Sequence, residues 1–233
     1  HLPDWIQVGL IYDPQALAHL VSEGAKRNAA SLPSEGASHR DWVEAARRLG
    51  ELIYRFNELK AADADNLQGQ LQSLQREADA RLKHWVLQHF ADLPSLPVAK
   101  APVMVHHVPR YLAMRRGFGE DRIALLVFDG LALDQWAQIR DHLSTKLPDF
   151  SADEGGCFAW LPTLTSISRQ ALFSGLKPRE FQGSMDSTAQ EPSLWTKFWQ
   201  ENGLRKPEVV FQKGLKRSDQ LALLEDVLSK PTA

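Results

Sequence analysis

The sequence predicts an α/β fold: a helical segment over residues 1–96, then a largely parallel sheet flanked by helices over residues 97–233. Three observations carry this. Two long apolar stripes at helical spacing lie before Pro94. An apolar run over residues 123–128 stops abruptly at Asp129-Gly130. Beyond Pro97, short apolar runs alternate with amphipathic stretches, the pattern of strand–helix units.

Residues 1–12 are apolar with little period and specify no element. Asp13-Pro14 is a helix start, with Asp as N-cap and Pro in the first turn, and Leu17, Leu20 and Val21 give a short apolar face. Residues 31–37 (SLPSEGA) read as a loop. Ser38 and Asp41 resemble a capping box with Asp in place of Glu. The stripe Trp42, Ala46, Leu49, Ile53, Phe56 then marks an amphipathic helix. A second stripe follows in Leu67, Leu71, Leu74, Ala78, Leu82 and Trp85. The two helices are expected to pair as an antiparallel hairpin across a turn near residues 61–65. The boundary falls at Pro94-Ser95-Leu96-Pro97.

In the second part, strands are expected at 102–105, 122–128 (RIALLVF), 157–161 and 208–211. Helices are expected at 109–116, 133–147, 166–174, 194–203 and 218–228. In the helix at 133–147, Trp136, Ile139 and Leu143 share one face. An apolar run such as 123–128 is how a strand buried on both faces reads.

Composition narrows the function classes. Hydrophobic residues make up 43% and charged residues 24%, enough to fill a core and argue against disorder. The formal net charge is -2, without the basic excess of a protein that binds nucleic acid through phosphate neutralisation. The single cysteine, Cys157, allows no internal disulfide and fits a reducing cytoplasm. No apolar run approaches the roughly 20 residues that span a bilayer. The chain begins at His1 rather than Met and reads as a piece of something longer.

Ligands of open parallel sheets sit beyond the carboxyl ends of the strands, and two expected strand ends carry unusual residues. Asp129 follows six apolar side chains, where a carboxylate is costly unless it is paired, exposed or bound to a cation. It could instead cap the next helix or close a turn before Gly130, and taken alone that reading is favoured. The second end is Pro162-Thr163-Leu164-Thr165-Ser166. Thr165 at a helix start is either a plain N-cap or a hydroxyl nucleophile, placed in the field of the helix N-terminus and activated by a metal. Arg169, one turn on, could hold phosphate oxygens bidentately or form a salt bridge.

Other candidates favour structural roles. His106 and His107 are neighbours near a strand end, and adjacent strand residues face opposite ways. Cys157 is expected in the core. His84 and His89 are five apart, poorly spaced to share a metal on one helix. The loop glycines have no phosphate-loop context.

The run ALLVFDGLALDQW followed by WLPTLTSISRQALFSGLKP resembles the PglZ domain of bacterial BREX-type phage-defence proteins, a member of the alkaline phosphatase superfamily. The likeness covers roughly residues 98–230. It implies that 97–233 is the N-terminal half of an alkaline-phosphatase-like domain, truncated at its C-terminus. It further implies a metal-dependent phosphatase or phosphodiesterase, with Asp129 as metal ligand, Thr165 as nucleophile and second metal contact, and Arg169 near the site. Zinc is the implied metal, and further Asp and His ligands are expected from the second half, so this fragment is expected to be inactive alone. Phosphate esters or nucleic acid are the implied substrates and other BREX proteins the implied partners. The rival reading is a non-catalytic scaffold that docks those partners through its helical segment.

Overall fold

The computed structural model describes residues 14–98, 100–118, 122–149 and 151–214. The chain divides into two compact units, His1–Pro94 with Val127–Gly156, and Ser95–Leu126 with Cys157–Ala233.

The first unit contains α1 (Pro14–Ala30), α2 (His39–Asn57), α3 (Ala61–His89) and α5 (Leu133–Lys146). Ser38 caps α2 as expected. Its hydroxyl accepts from the Asp41 N–H at 3.4 Å, and the Asp41 carboxylate accepts from the Ser38 N–H at 2.7 Å. Val21 and Ala25 of α1 pack with Leu52 of α2 and with Leu67, Leu71 and Leu74 of α3 in one buried cluster. The α2–α3 hairpin is antiparallel. Trp42, near the start of α2, meets Trp85, near the end of α3, with ring centroids 6.1 Å apart. The Trp85 indole N–H donates to the Ala37 carbonyl at 2.7 Å, satisfying a buried donor.

Helix α5 turns a different face inward from the one its apolar residues suggest. Trp136 and Ile139 are exposed, while Ala137 is buried. The docking is steric and ionic. Gly50 of α2 leaves a notch in which an added Cβ would lie 2.6 Å from the Leu133 Cβ. Further along, Arg140 pairs with Glu51 at 2.7 Å and Arg55 with Asp141 at 3.4 Å. These spacings put 133, 137 and 140–141 on one helical face.

The second unit contains α4 (Val108–Gly117), α6 (Thr165–Ser174) and α7 (Glu191–Glu201). Its core is aromatic: Phe173, Trp195, Phe198 and Trp199 are all buried. They meet edge to face, Phe173 to Trp195 at 5.8 Å and Trp195 to Trp199 at 5.4 Å, the geometry favoured by ring quadrupoles. The Trp195 N–H donates to the Val210 carbonyl at 3.1 Å.

The parallel sheet flanked by helices, expected as the first half of an alkaline-phosphatase-like sheet, is overturned: among the described residues there is no sheet. Segments 102–105 and 157–161 meet only at one isolated parallel bridge, Met104 to Phe158. There the Val105 N–H donates to the Phe158 carbonyl at 2.9 Å and the Phe158 N–H to the Val103 carbonyl at 2.8 Å. Residues 122–128 form neither helix nor ladder. Ile123 and Leu125 rest on the aromatic core, but Leu126 and Phe128 are 69% and 67% exposed. Among the described residues no second layer covers the run, so apolarity alone misled. Residues 208–211 leave a 3₁₀ turn (Lys206–Glu208) without pairing, and Val209 and Phe211 pack on the same core. Cys157, expected to be buried, is exposed, because its strand shrinks to the single bridge at Phe158. Residues 1–12 and the expected helix at 218–228 lie outside the described residues. No helix among the described residues is long and apolar enough to cross a membrane.

Candidate functional site

Asp129 and Gly130 form a turn at the end of the 122–128 run. Gly130 has φ +74°, a left-handed conformation that glycine adopts at little cost. The turn thus exposes the Asp129 carboxylate. Asp129 belongs to the first unit, whereas Thr165 and Arg169 belong to the second.

In the second unit the chain passes Phe158 and reaches a cis Leu161–Pro162 peptide. The Leu164 N–H then donates to the Pro162 carbonyl at 2.8 Å, closing a tight turn. Thr165 is the first residue of α6 and is exposed. It is not the N-cap: that position is Leu164, whose side chain offers no acceptor. The first-turn N–H groups of a helix have no intrahelical carbonyl to meet, so the Thr165 hydroxyl stands where the helix favours negative charge. The far end of α6 is fixed by Gly175. Its φ is +69°, and an added Cβ would lie 3.2 Å from Phe198 Cε2.

Arg169 faces a carboxylate that the sequence did not point to. Glu191, fully buried at the start of α7, pairs with the Arg169 Nε at 2.7 Å and accepts from its Nη2 at 2.8 Å. Lys213 reaches the same carboxylate at 3.1 Å and donates to the Thr188 hydroxyl at 2.8 Å. The available signal was Glu191-Pro192, an acidic residue and a proline in a first helical turn. Gln170, also buried, donates to the Ser184 carbonyl at 2.7 Å and accepts from the Ser184 hydroxyl at 2.6 Å, tying α6 to the loop before α7. Together these contacts fix the helix that presents Thr165.

The histidine pair lies in the second unit. Val105–His107 is a 3₁₀ turn rather than a strand, so His106 and His107 are not on opposite faces. Both are buried, with ring centroids 4.1 Å apart, and His106 also lies 5.1 Å from Trp160. The Met104 N–H donates to the His107 Nδ1 at 3.3 Å.

A family model for the BREX system PglZ alkaline phosphatase-like domain matches residues 113–229, a span that includes Asp129, Thr165 and Arg169. The chain belongs to the PglZ family. No curated protein and no solved structure gives a match. PglZ membership carries an association with phage defence, a place in the alkaline phosphatase-like superfamily and other BREX proteins as expected partners. That superfamily suggests metal dependence. Asp129 in the first unit and Thr165 in the second are each exposed and carry an oxygen donor. No group of three or more His, Cys, Asp or Glu that could hold an ion occurs among the described residues.

Proposed function

We propose that this PglZ protein hydrolyses phosphate esters, a phosphodiester or a phosphomonoester, as a cytoplasmic BREX component, with nucleotides or nucleic acid as the substrate class. Residues 97–233 supply the nucleophile and part of the metal site to the full-length protein and are inactive alone. The observation that supports this most is Thr165, an exposed hydroxyl in the first turn of α6 behind a residue that supplies no cap. The Thr165 oxygen attacks phosphorus and forms a phosphothreonine ester. The bond from phosphorus to the leaving oxygen breaks, the Thr165 proton passes through water to the departing alcohol, and a second water cleaves the ester. Arg169, held in place by Glu191, steadies the phosphoryl oxygens. Asp129 and Thr165 would each contribute an oxygen to the metal in the full-length protein, and zinc would supply Lewis-acid stabilisation of the developing charge. The test is zinc-dependent hydrolysis of a nitrophenyl phosphodiester by the full-length protein, as wild type and as Thr165→Ala.

A second reading is a scaffold whose helical segment, residues 1–96, docks another BREX protein. It is favoured by an apolar groove between α1 and α2 with an arginine rim. Co-elution of the full chain with the proteins of its defence island tests it.

A further inference from the structure

We infer that the groove between α1 and α2 is the docking site for an acidic amphipathic helix of a protein partner, a proposal that rests on the scaffold reading and gives it a surface. The groove has a volume of about 520 Å³ and lies wholly within the first unit. Its floor is Leu17, Leu20, Val21 and Leu52. Val21 and Leu52 also serve the core, but Leu20 is 60% exposed. One exposed leucine is ordinary; one at the edge of an apolar trough between two helices is a place for a third helix to rest. Gly24 keeps the trough narrow at its base, since an added Cβ would lie 2.9 Å from Leu52 Cδ1.

The rim states the charge of the occupant. Four arginines line the groove, Arg27, Arg47, Arg48 and Arg55, against one glutamate, Glu51. Arg47 and Arg55 are already neutralised, by Glu44 at 2.8 Å and Glu58 at 3.2 Å. Arg48 donates to the Ser31 carbonyl at 3.2 Å and has no carboxylate partner among the described residues. Arg27 is exposed and likewise makes no ion pair among them. Arg27 and Arg48 feel the charges of Glu23 and Glu44 but make no ion pair with a carboxylate among the described residues, and two such guanidinium groups beside an apolar floor complement leucines flanked by carboxylates. A nucleic-acid backbone would use the arginines and leave the floor unfilled.

The probe is a fluorescent synthetic helix of about four turns, with Leu at i, i+4 and i+7 and Glu on both flanks. Its control carries Lys for Glu, and a labelled oligonucleotide is titrated alongside. The full chain is used as wild type, Leu20→Asp and Arg27→Glu, both changes at exposed positions, with circular dichroism confirming that helix content is kept. Anisotropy is expected to show saturable binding of the acidic helix, weakened at least about tenfold by each substitution and by the Lys control. Equal binding of acidic and basic helices, or acidic-helix binding indifferent to both substitutions, overturns the proposal. So does oligonucleotide binding that Arg27→Glu abolishes and Leu20→Asp spares, which makes the rim a phosphate surface. Co-elution with defence-island proteins separates this from the parent reading. Wild type and Leu20→Asp eluting alike with a neighbour keeps docking and removes the groove from it, while no co-elution by wild type removes docking altogether.

Discussion

The guanidinium of Arg169 is gripped by the fully buried carboxylate of Glu191, with Nε to Oε1 at 2.7 Å and Nη2 to Oε2 at 2.8 Å. The contact joins the middle of α6 to the first residue of α7. A carboxylate removed from water is tolerated only when its charge is answered, and here Lys213 answers it as well, at 3.1 Å. The helix that carries Thr165 is thereby fixed by a charge cluster one turn below the hydroxyl.

Removing that carboxylate leaves a half-buried guanidinium without its partner. Glu191→Ala is expected to lower the unfolding free energy by about 3 kcal/mol, the loss typical of breaking a buried pair from one side. Glu191→Gln, which keeps an acceptor, loses less. Urea titration followed by tryptophan fluorescence measures both; a Glu191→Ala loss within error of zero contradicts the reading.

Gly50 is expected to be intolerant of any side chain. A Cβ placed there would lie 2.6 Å from the Leu133 Cβ and 3.1 Å from the Leu133 carbonyl carbon, so backbone must move. Gly50→Ala should therefore destabilise by about 1–3 kcal/mol, the cost of overpacking, although Ala is the better helix former. An increase in thermal midpoint for Gly50→Ala would show that α5 does not seat there.

The Ser38–Asp41 capping box gives a pH dependence. Hydrogen bonds from the Ser38 hydroxyl and N–H hold the Asp41 carboxyl below the usual aspartate range. A depressed pKa adds stability that is fully present above the unfolded value, about 3.9, and lost as pH falls through the folded one. The gap in thermal midpoint between wild type and Asp41→Asn is expected to be open near neutrality and to close in acid. A gap that widens on acidification would reverse the sign and contradict the assignment.

The helices were legible, and the lack of a sheet among the described residues was not, for one physical reason. A 3.6-residue stripe such as Trp42, Ala46, Leu49, Ile53 reports a local structure that the segment itself can form. An apolar run such as 123–128 reports only avoidance of water, and a ladder also needs a partner strand. The same limit applies to α5, whose seating depends on the Gly50 notch and the Arg140–Glu51 pair, features invisible in its own period. At the candidate site the sequence singled out Thr165 at its helix start and Asp129 at its turn. It could not supply Glu191, 22 residues from Arg169 along the chain and in contact with it in space.

Asp129→Asn is expected to weaken zinc uptake by the full-length protein at least about tenfold, a loss that even outer-shell partners of metal ligands cause. Gly130 keeps the turn in the variant, so the change reports the carboxylate. Metal content after dialysis measures it, and unchanged zinc content would remove Asp129 from the metal-binding role.

Hydrolysis of a nitrophenyl phosphodiester by the native full-length protein, with zinc and with chelator, for wild type and Thr165→Ala, bears most directly on the nucleophile. Wild type is expected to turn over with zinc, and Thr165→Ala to drop to the chelated background. Equal turnover by both proteins, or none by wild type with zinc, contradicts Thr165 as the nucleophile.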